Sequence, residues 1–193
     1  MTDILSPEQR SRLMARIGPK DTKPELTLRR GLHALGYRYR LHDKRLPGRP
    51  DIYLPKFGTV ILVNGCFWHG HGCHLFKVPQ TRREFWLGKI DSNRERDVRT
   101  TQELGNRGLK VGIVWECSLR GKHRWNVDEV IGTLVLLIEG KLALGECIEL
   151  IGDAGAVSDV RTGGVPDLFS PFGCDEGAGR STCLCQAPRA ERQ

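Results

Sequence analysis

Five potential metal ligands, Cys66, His69, His71, Cys73 and His74, fall within nine residues. They follow directly on the apolar run 59–63, which reads as a buried strand. Thiolate and imidazole groups at such spacing suit zinc, which takes four of them in a tetrahedron. Three ligands from this loop would need a fourth from elsewhere in the chain. Cys117 follows a second apolar run, 109–115, and reaches the loop if the two strands are neighbours. The cluster therefore constrains the sheet as well as the loop. Its spacing matches no common zinc-finger pattern and by itself names no function. At least one histidine is left over and is available for chemistry. The plainer alternative is a polar loop without a metal.

The flanking segments alternate between helical and strand patterns. Ser6-Pro7-Glu8 reads as a helix start, with Ser as N-cap and Pro in the first turn, and that helix would run to about residue 17. Thr22-Lys-Pro-Glu25 fits a capping box opening a second helix, with Leu28, Leu32 and Leu35 on one face and Gly36 as its stop. Strands are expected over 37–41, 51–54, 59–63 and 109–115, and helices over 81–87, 93–104 and 127–139. Apolar strands flanked and followed by helices indicate an α/β domain with a central mixed sheet. That domain is expected to span 1–150. Residues 151–193 hold seven Gly and three Pro without sustained periodicity, and read as a mostly disordered tail.

Charge divides along the same boundary. Residues 1–150 carry 26 Lys/Arg against 17 Asp/Glu, while the last 43 carry four against six. A basic body suits a polyanion such as nucleic acid. No run approaches the about 18 apolar residues of a membrane span, and the N-terminus lacks signal-peptide regions. A cytoplasmic location is expected. Seven cysteines in a reducing compartment argue for metal binding rather than a disulfide framework.

Three acidic positions draw notice. Asp51 follows Pro50 at the mouth of a strand, where a carboxylate can hold a hard cation for phosphodiester hydrolysis or simply solvate a turn. Glu25 has a ready role as capping-box partner of Thr22, and Asp97 lies on a charged helix face. Phe67, Trp68, Phe85 and Trp86 bracket the metal loop, either as core or as a surface that stacks on bases.

Taken together, these residues resemble the very-short-patch-repair (Vsr) mismatch endonuclease family. The resemblance rests on Leu46-Pro-Gly-Arg-Pro-Asp51, Gly65-Cys-Phe-Trp-His69 through Cys73, Leu75-Phe-Lys-Val-Pro79, Thr81-Arg82 with Glu84-Phe-Trp-Leu87, Glu95-Arg-Asp97, and Ile113-Val-Trp-Glu-Cys117. These stretches run in order and ungapped across about residues 8–140.

The resemblance implies a restriction-endonuclease-like α/β fold. It implies an enzyme that nicks one DNA strand 5′ to the thymine of a T:G mismatch, beginning very short patch repair. Such mismatches arise when 5-methylcytosine deaminates, so a DNA cytosine-5 methyltransferase is implied as functional associate, and a monomer is expected. Asp51 would bind Mg²⁺, assisted by the backbone carbonyl of Val63 and, through water, by Glu25. His69, oriented by Asp97, would activate the attacking water. Cys66, His71, Cys73 and Cys117 would hold a structural zinc. Phe67, Trp68 and Trp86 would wedge into the duplex beside the mismatch, and Met14 would enter from the minor-groove side.

The chain departs from the family pattern at Asn64, where the family has histidine, and at Val63, where it usually has threonine. Asparagine can hydrogen-bond a phosphate oxygen but cannot exchange a proton near pH 7. Gly70 and Gly72 replace histidines common in that loop, leaving His71 as the clear ligand. Two other functions fit parts of the pattern: a zinc-stabilised mismatch-binding protein that cuts weakly or not at all, and a restriction-type nuclease acting on intact duplex. Retained Glu25, Asp51, His69 and Asp97 favour an enzyme, because a pure binder needs none of them. Cys174, Cys183 and Cys185 are assigned no role.

Overall fold

The computed structural model describes Gln9, Arg12, Gly18 and residues 20–142, 147–152 and 160–162. Most of the expected first helix, Met14 included, lies outside the described residues, as do Cys174, Cys183 and Cys185.

Helix α1 spans Lys23–Ala34 and opens on the expected capping box, with Thr22 as N-cap and Glu25 at its third position. Strand β1 (Ile52–Leu54) turns through a 3₁₀ segment (Pro55–Phe57) into β2 (Thr59–Asn64). Helix α2 (Arg83–Asn106) crosses to β3 (Lys110–Trp115). The short α3 (Glu116–Leu119) and then α4 (Val127–Ile138) lead to β4 (Cys147–Leu150) and β5 (Val160–Thr162). The five strands lie in chain order in one sheet. Pairing is antiparallel at β1–β2 and β4–β5 and parallel at β2–β3 and β3–β4. The mixed α/β sheet expected from the sequence is therefore present.

Alternation along the strands divides the core into two layers. Ile61, Val114 and Leu150 pack under α1 and α4, against Leu28, Leu32, Val130, Ile131, Leu134 and Ile138. Val60, Val111, Ile113 and Trp115 face the other way with Leu104 of α2, and Cys66 and Cys117 lie in that layer. Gly31 lets α1 approach α4, since a Cβ there would lie 1.9 Å from Ile131 Cδ1. Among the described residues no helix is long and apolar enough to cross a membrane.

Local expectations differ from the structure in three places. The expected strand 37–41 reduces to one bridge, Arg40 to Tyr53, because His42 takes φ +48° and turns the chain away. The two expected helices at 81–87 and 93–104 are one helix of 24 residues; Gly88 and the polar run after it lower propensity without a proline to interrupt the backbone ladder. Strands β4 and β5 have no counterpart among the expected strands. β4 is four residues with a buried Glu149 in its midst, and β5, three residues long, lies past the expected boundary at 150. Such short segments leave no periodic signal.

Candidate active site and metal centre

The site forms where the parallel strands end. Register pairs Asn64 with Trp115, so the chain leaves β2 into the 65–75 loop beside the point where it leaves β3 into Cys117. The condition for Cys117 to reach the loop is met. Ligand atoms of Cys66, His71, Cys73 and Cys117 all lie within 4.8 Å of one another, and Cys117 Sγ is 3.5 Å from His71 Nδ1. Sulfurs about 2.3 Å from a tetrahedral zinc would stand about 3.8 Å apart, so the donor set fits such an ion. Cys66 and Cys117 are fully buried. The His71 ring stacks on Trp115 at 4.4 Å, which fixes its orientation. Contacts from Cys66 and then His71 hold the Cys117 thiol well below its ordinary range, and burial raises that of Cys73. This cluster could hold a metal ion; His69 and His74 stand outside it.

The end of β2 also borders a cleft of about 540 Å³. Glu25, Asp51, Val63, Asn64, Trp68, His69 and Asp97 all line it. Asp51 precedes β1, and its Oδ2 accepts the backbone N–H of Val63 at 2.8 Å. Burial raises its pKa, and the nearby Glu25 adds to the rise, against the Val63 N–H and the Arg29 guanidinium, which lower it. A carboxylate that is costly to leave charged welcomes a cation. His69 Nδ1 lies 2.5 Å from Asp97 Oδ2, so loop and helix α2 meet in a histidine–carboxylate dyad. Asn93 reinforces that junction by donating to the Trp68 carbonyl at 2.8 Å. Gly70, at φ +63°, lets α2 come close, since a Cβ there would lie 2.6 Å from Ile90 Cγ2. Asn64 is buried at the end of β2.

Glu25 sits within 4.8 Å of Asp51 and of His42 through their ligand atoms. Its carboxylate accepts from Thr22 Oγ1 at 2.8 Å and Thr22 N at 3.4 Å, and from Arg29 Nη2 at 2.6 Å and Asp21 N at 3.2 Å. Those four donors match the about four lone-pair sites a carboxylate offers.

The aromatic residues form a connected surface. Phe67 meets Trp68 and Trp86 edge to face at 5.1 and 5.4 Å, and Phe85 extends the cluster from Trp86 at 5.4 Å. Phe85 is 49% exposed, with the Arg82 guanidinium 4.5 Å from its ring centre.

Sequence reasoning missed four polar residues here. Arg49, Arg96 and Glu116 line the cleft, and His42 approaches Asp51 at 3.8 Å. Arg49, Arg96 and Glu116 sit inside stretches that carry the resemblance; nothing around His42 marks it.

A carboxylate and a histidine–carboxylate dyad share one cleft, beside a Cys/His cluster and an aromatic surface, an arrangement suited to phosphodiester hydrolysis. The family model described as DNA mismatch endonuclease Vsr matches residues 2–75. Type II nicking enzyme V.XorIIP of Xanthomonas oryzae pv. oryzae is 50% identical over 119 residues, 62% of this chain and 88% of that protein. The DNA mismatch endonuclease Vsr of Escherichia coli K12 is 47% identical over 124 residues, 64% of this chain and 80% of that protein. The Neisseria meningitidis nicking enzyme V.NmeAIP is 48% identical over 122 residues, 63% and 87% of the two chains. This chain belongs to the Vsr DNA mismatch endonuclease family.

Proposed function

We propose that this protein is a strand-specific endonuclease that nicks duplex DNA 5′ to the thymine of a T:G mismatch, acting as a monomer in the cytoplasm. The functional setting is repair after 5-methylcytosine deaminates, alongside a DNA cytosine-5 methyltransferase. The observation that carries the reading is the pairing of Asp51 with the His69–Asp97 dyad in one cleft.

The chain's own groups divide the work. Asp51, with the Val63 carbonyl, is the site for Mg²⁺, which when bound would polarise the scissile phosphate and stabilise its developing charge. Glu25 is buried beside Asp51, where any water it holds competes with Thr22 and Arg29 for its oxygens. Asp97 takes the Nδ1–H of His69, which leaves Nε2 with its lone pair to accept a proton from the attacking water. Asn64 donates its amide to a phosphate oxygen and exchanges no proton. Cys66, His71, Cys73 and Cys117 hold structural zinc, which ties the loop carrying His69 to the end of β3. Phe67, Trp68 and Trp86 wedge at the mismatch, with Met14 entering from the opposite groove. Unstacking costs a few kcal/mol per step and least at a mismatch, so the wedge itself selects the target.

Single-turnover cleavage of a T:G duplex tests the assignment. Asp51→Ala abolishes the nick, and Asp97→Asn slows it while leaving duplex affinity intact. Full activity in both variants would overturn the reading.

A further inference from the structure

Asp51 has a neighbour that the sequence motif does not include. His42 Nδ1 stands 3.8 Å from Asp51 Oδ1, and on the far side of the ring Nε2 lies 3.2 Å from Arg29 Nη2. Arginine carries donors and no acceptor. The Arg29 contact therefore requires His42 Nε2 to accept, which excludes the tautomer with its proton on Nε2. The remaining form carries its proton on Nδ1, the nitrogen that faces Asp51.

The ring is held in place from several sides. Arg29 is buried and bonded to Glu25 and Asp21, so its guanidinium cannot turn away. The His42 backbone takes φ +48° and donates to the Pro50 carbonyl at 3.0 Å, one residue before Asp51. A left-handed conformation at a non-glycine residue is uncommon and costly, and it persists where surrounding structure enforces it. Oδ2 of Asp51 is already bonded to Val63 N–H. The Nδ1–H of His42 is then the donor that approaches the remaining oxygen. At 3.8 Å the contact is electrostatic, and contacts of this kind commonly tighten when the ligand arrives.

We propose that His42, locked by Arg29 into its Nδ1–H tautomer, is a positioning residue that orients the Asp51 carboxylate for its cation. The inference rests on Asp51 being a cation ligand, as proposed above. Partners of metal-binding carboxylates, themselves outside the coordination sphere, set ligand orientation, and their loss costs about 10–100-fold in metal affinity.

The test measures Mn²⁺ affinity by electron paramagnetic resonance on zinc-loaded protein, so the Cys/His cluster is already filled. His42→Leu removes the donor at similar size and weakens Mn²⁺ binding about 10–100-fold. His42→Asn places an amide N–H near the Nδ1 position and tolerates left-handed backbone, so its affinity stays within about threefold of the parent. Equal affinity in His42→Leu and the parent overturns the proposal. So does His42→Asn binding ten times more weakly than the parent, an outcome readable even if His42→Leu fails to fold. Asp51→Asn is the separate control: it loses Mn²⁺ binding, and if it does not, the reading of Asp51 as ligand fails independently of His42.

Discussion

At the scale of single residues, Asp51 and Asn64 separate what the site holds from what it lacks. Burial raises the Asp51 pKa, so the folded protein binds that proton more tightly than the unfolded chain does. The charged carboxylate therefore costs stability at pH 7, and the cost fades as pH falls through the raised pKa into the ordinary carboxylate range. Metal-free Asp51→Asn should melt above metal-free parent protein at pH 7, the gap closing as pH falls; a lower melting temperature at pH 7 contradicts this. Asn64 leads to an opposite kind of prediction. Restoring histidine supplies a proton-exchanging group, an effect typically worth about 10²–10⁴-fold, so Asn64→His should raise the single-turnover rate by at least about tenfold. An unchanged rate would mean that hydrogen bonding is all the position does. Asp51 was legible because Pro50-Asp51 precedes a strand. His42 was not, because a left-handed turn in a loop delivers it, and no periodicity announces such a turn.

Among the elements, the ends of β2 and β3 do the positioning. Their parallel register was readable only as a condition, through the need for a fourth ligand from Cys117. The apolar runs showed that both strands exist, and their pairing is a long-range property that no local pattern encodes. Residue Gly152, just past β4, backs directly onto the Cys117 backbone: a Cβ there would lie 2.0 Å from the Cys117 carbonyl oxygen and 2.8 Å from that of His123. Backbone cannot yield as a side-chain tip can, so Gly152→Ala should cost about 1–3 kcal/mol or more and lower zinc occupancy, both measured on one preparation by denaturant titration and metal analysis. Retained stability with full zinc would show that the 147–152 segment does not brace the ligand. Nothing in the sequence around Gly152 signals this role, since β4 is too short to be recognised. Helix α2 is the reverse case. Its two halves were each legible, and their continuity, which sets Asp97 and Trp86 on one rigid element, was not.

For the whole molecule, the Cys/His cluster and the cleft share a loop, so metal at one should govern the other. Structural zinc contributes about 10–16 kcal/mol in small zinc-finger peptides, comparable to the about 5–15 kcal/mol by which a typical domain is stable. Cys73→Ser should therefore lose zinc, melt well below the parent and lose nicking, because His69 is no longer held against Asp97. Full nicking in zinc-free protein would separate the two centres. End-labelled duplexes test directly whether this architecture cuts one strand at a mismatch. A T:G duplex and its matched counterpart, each strand labelled in turn, are incubated with Mg²⁺ or EDTA. The expected result is one nick, 5′ to the mispaired thymine, only with Mg²⁺ and only in the mismatched duplex. Binding without a nick, or cleavage of both strands in matched DNA, would contradict it.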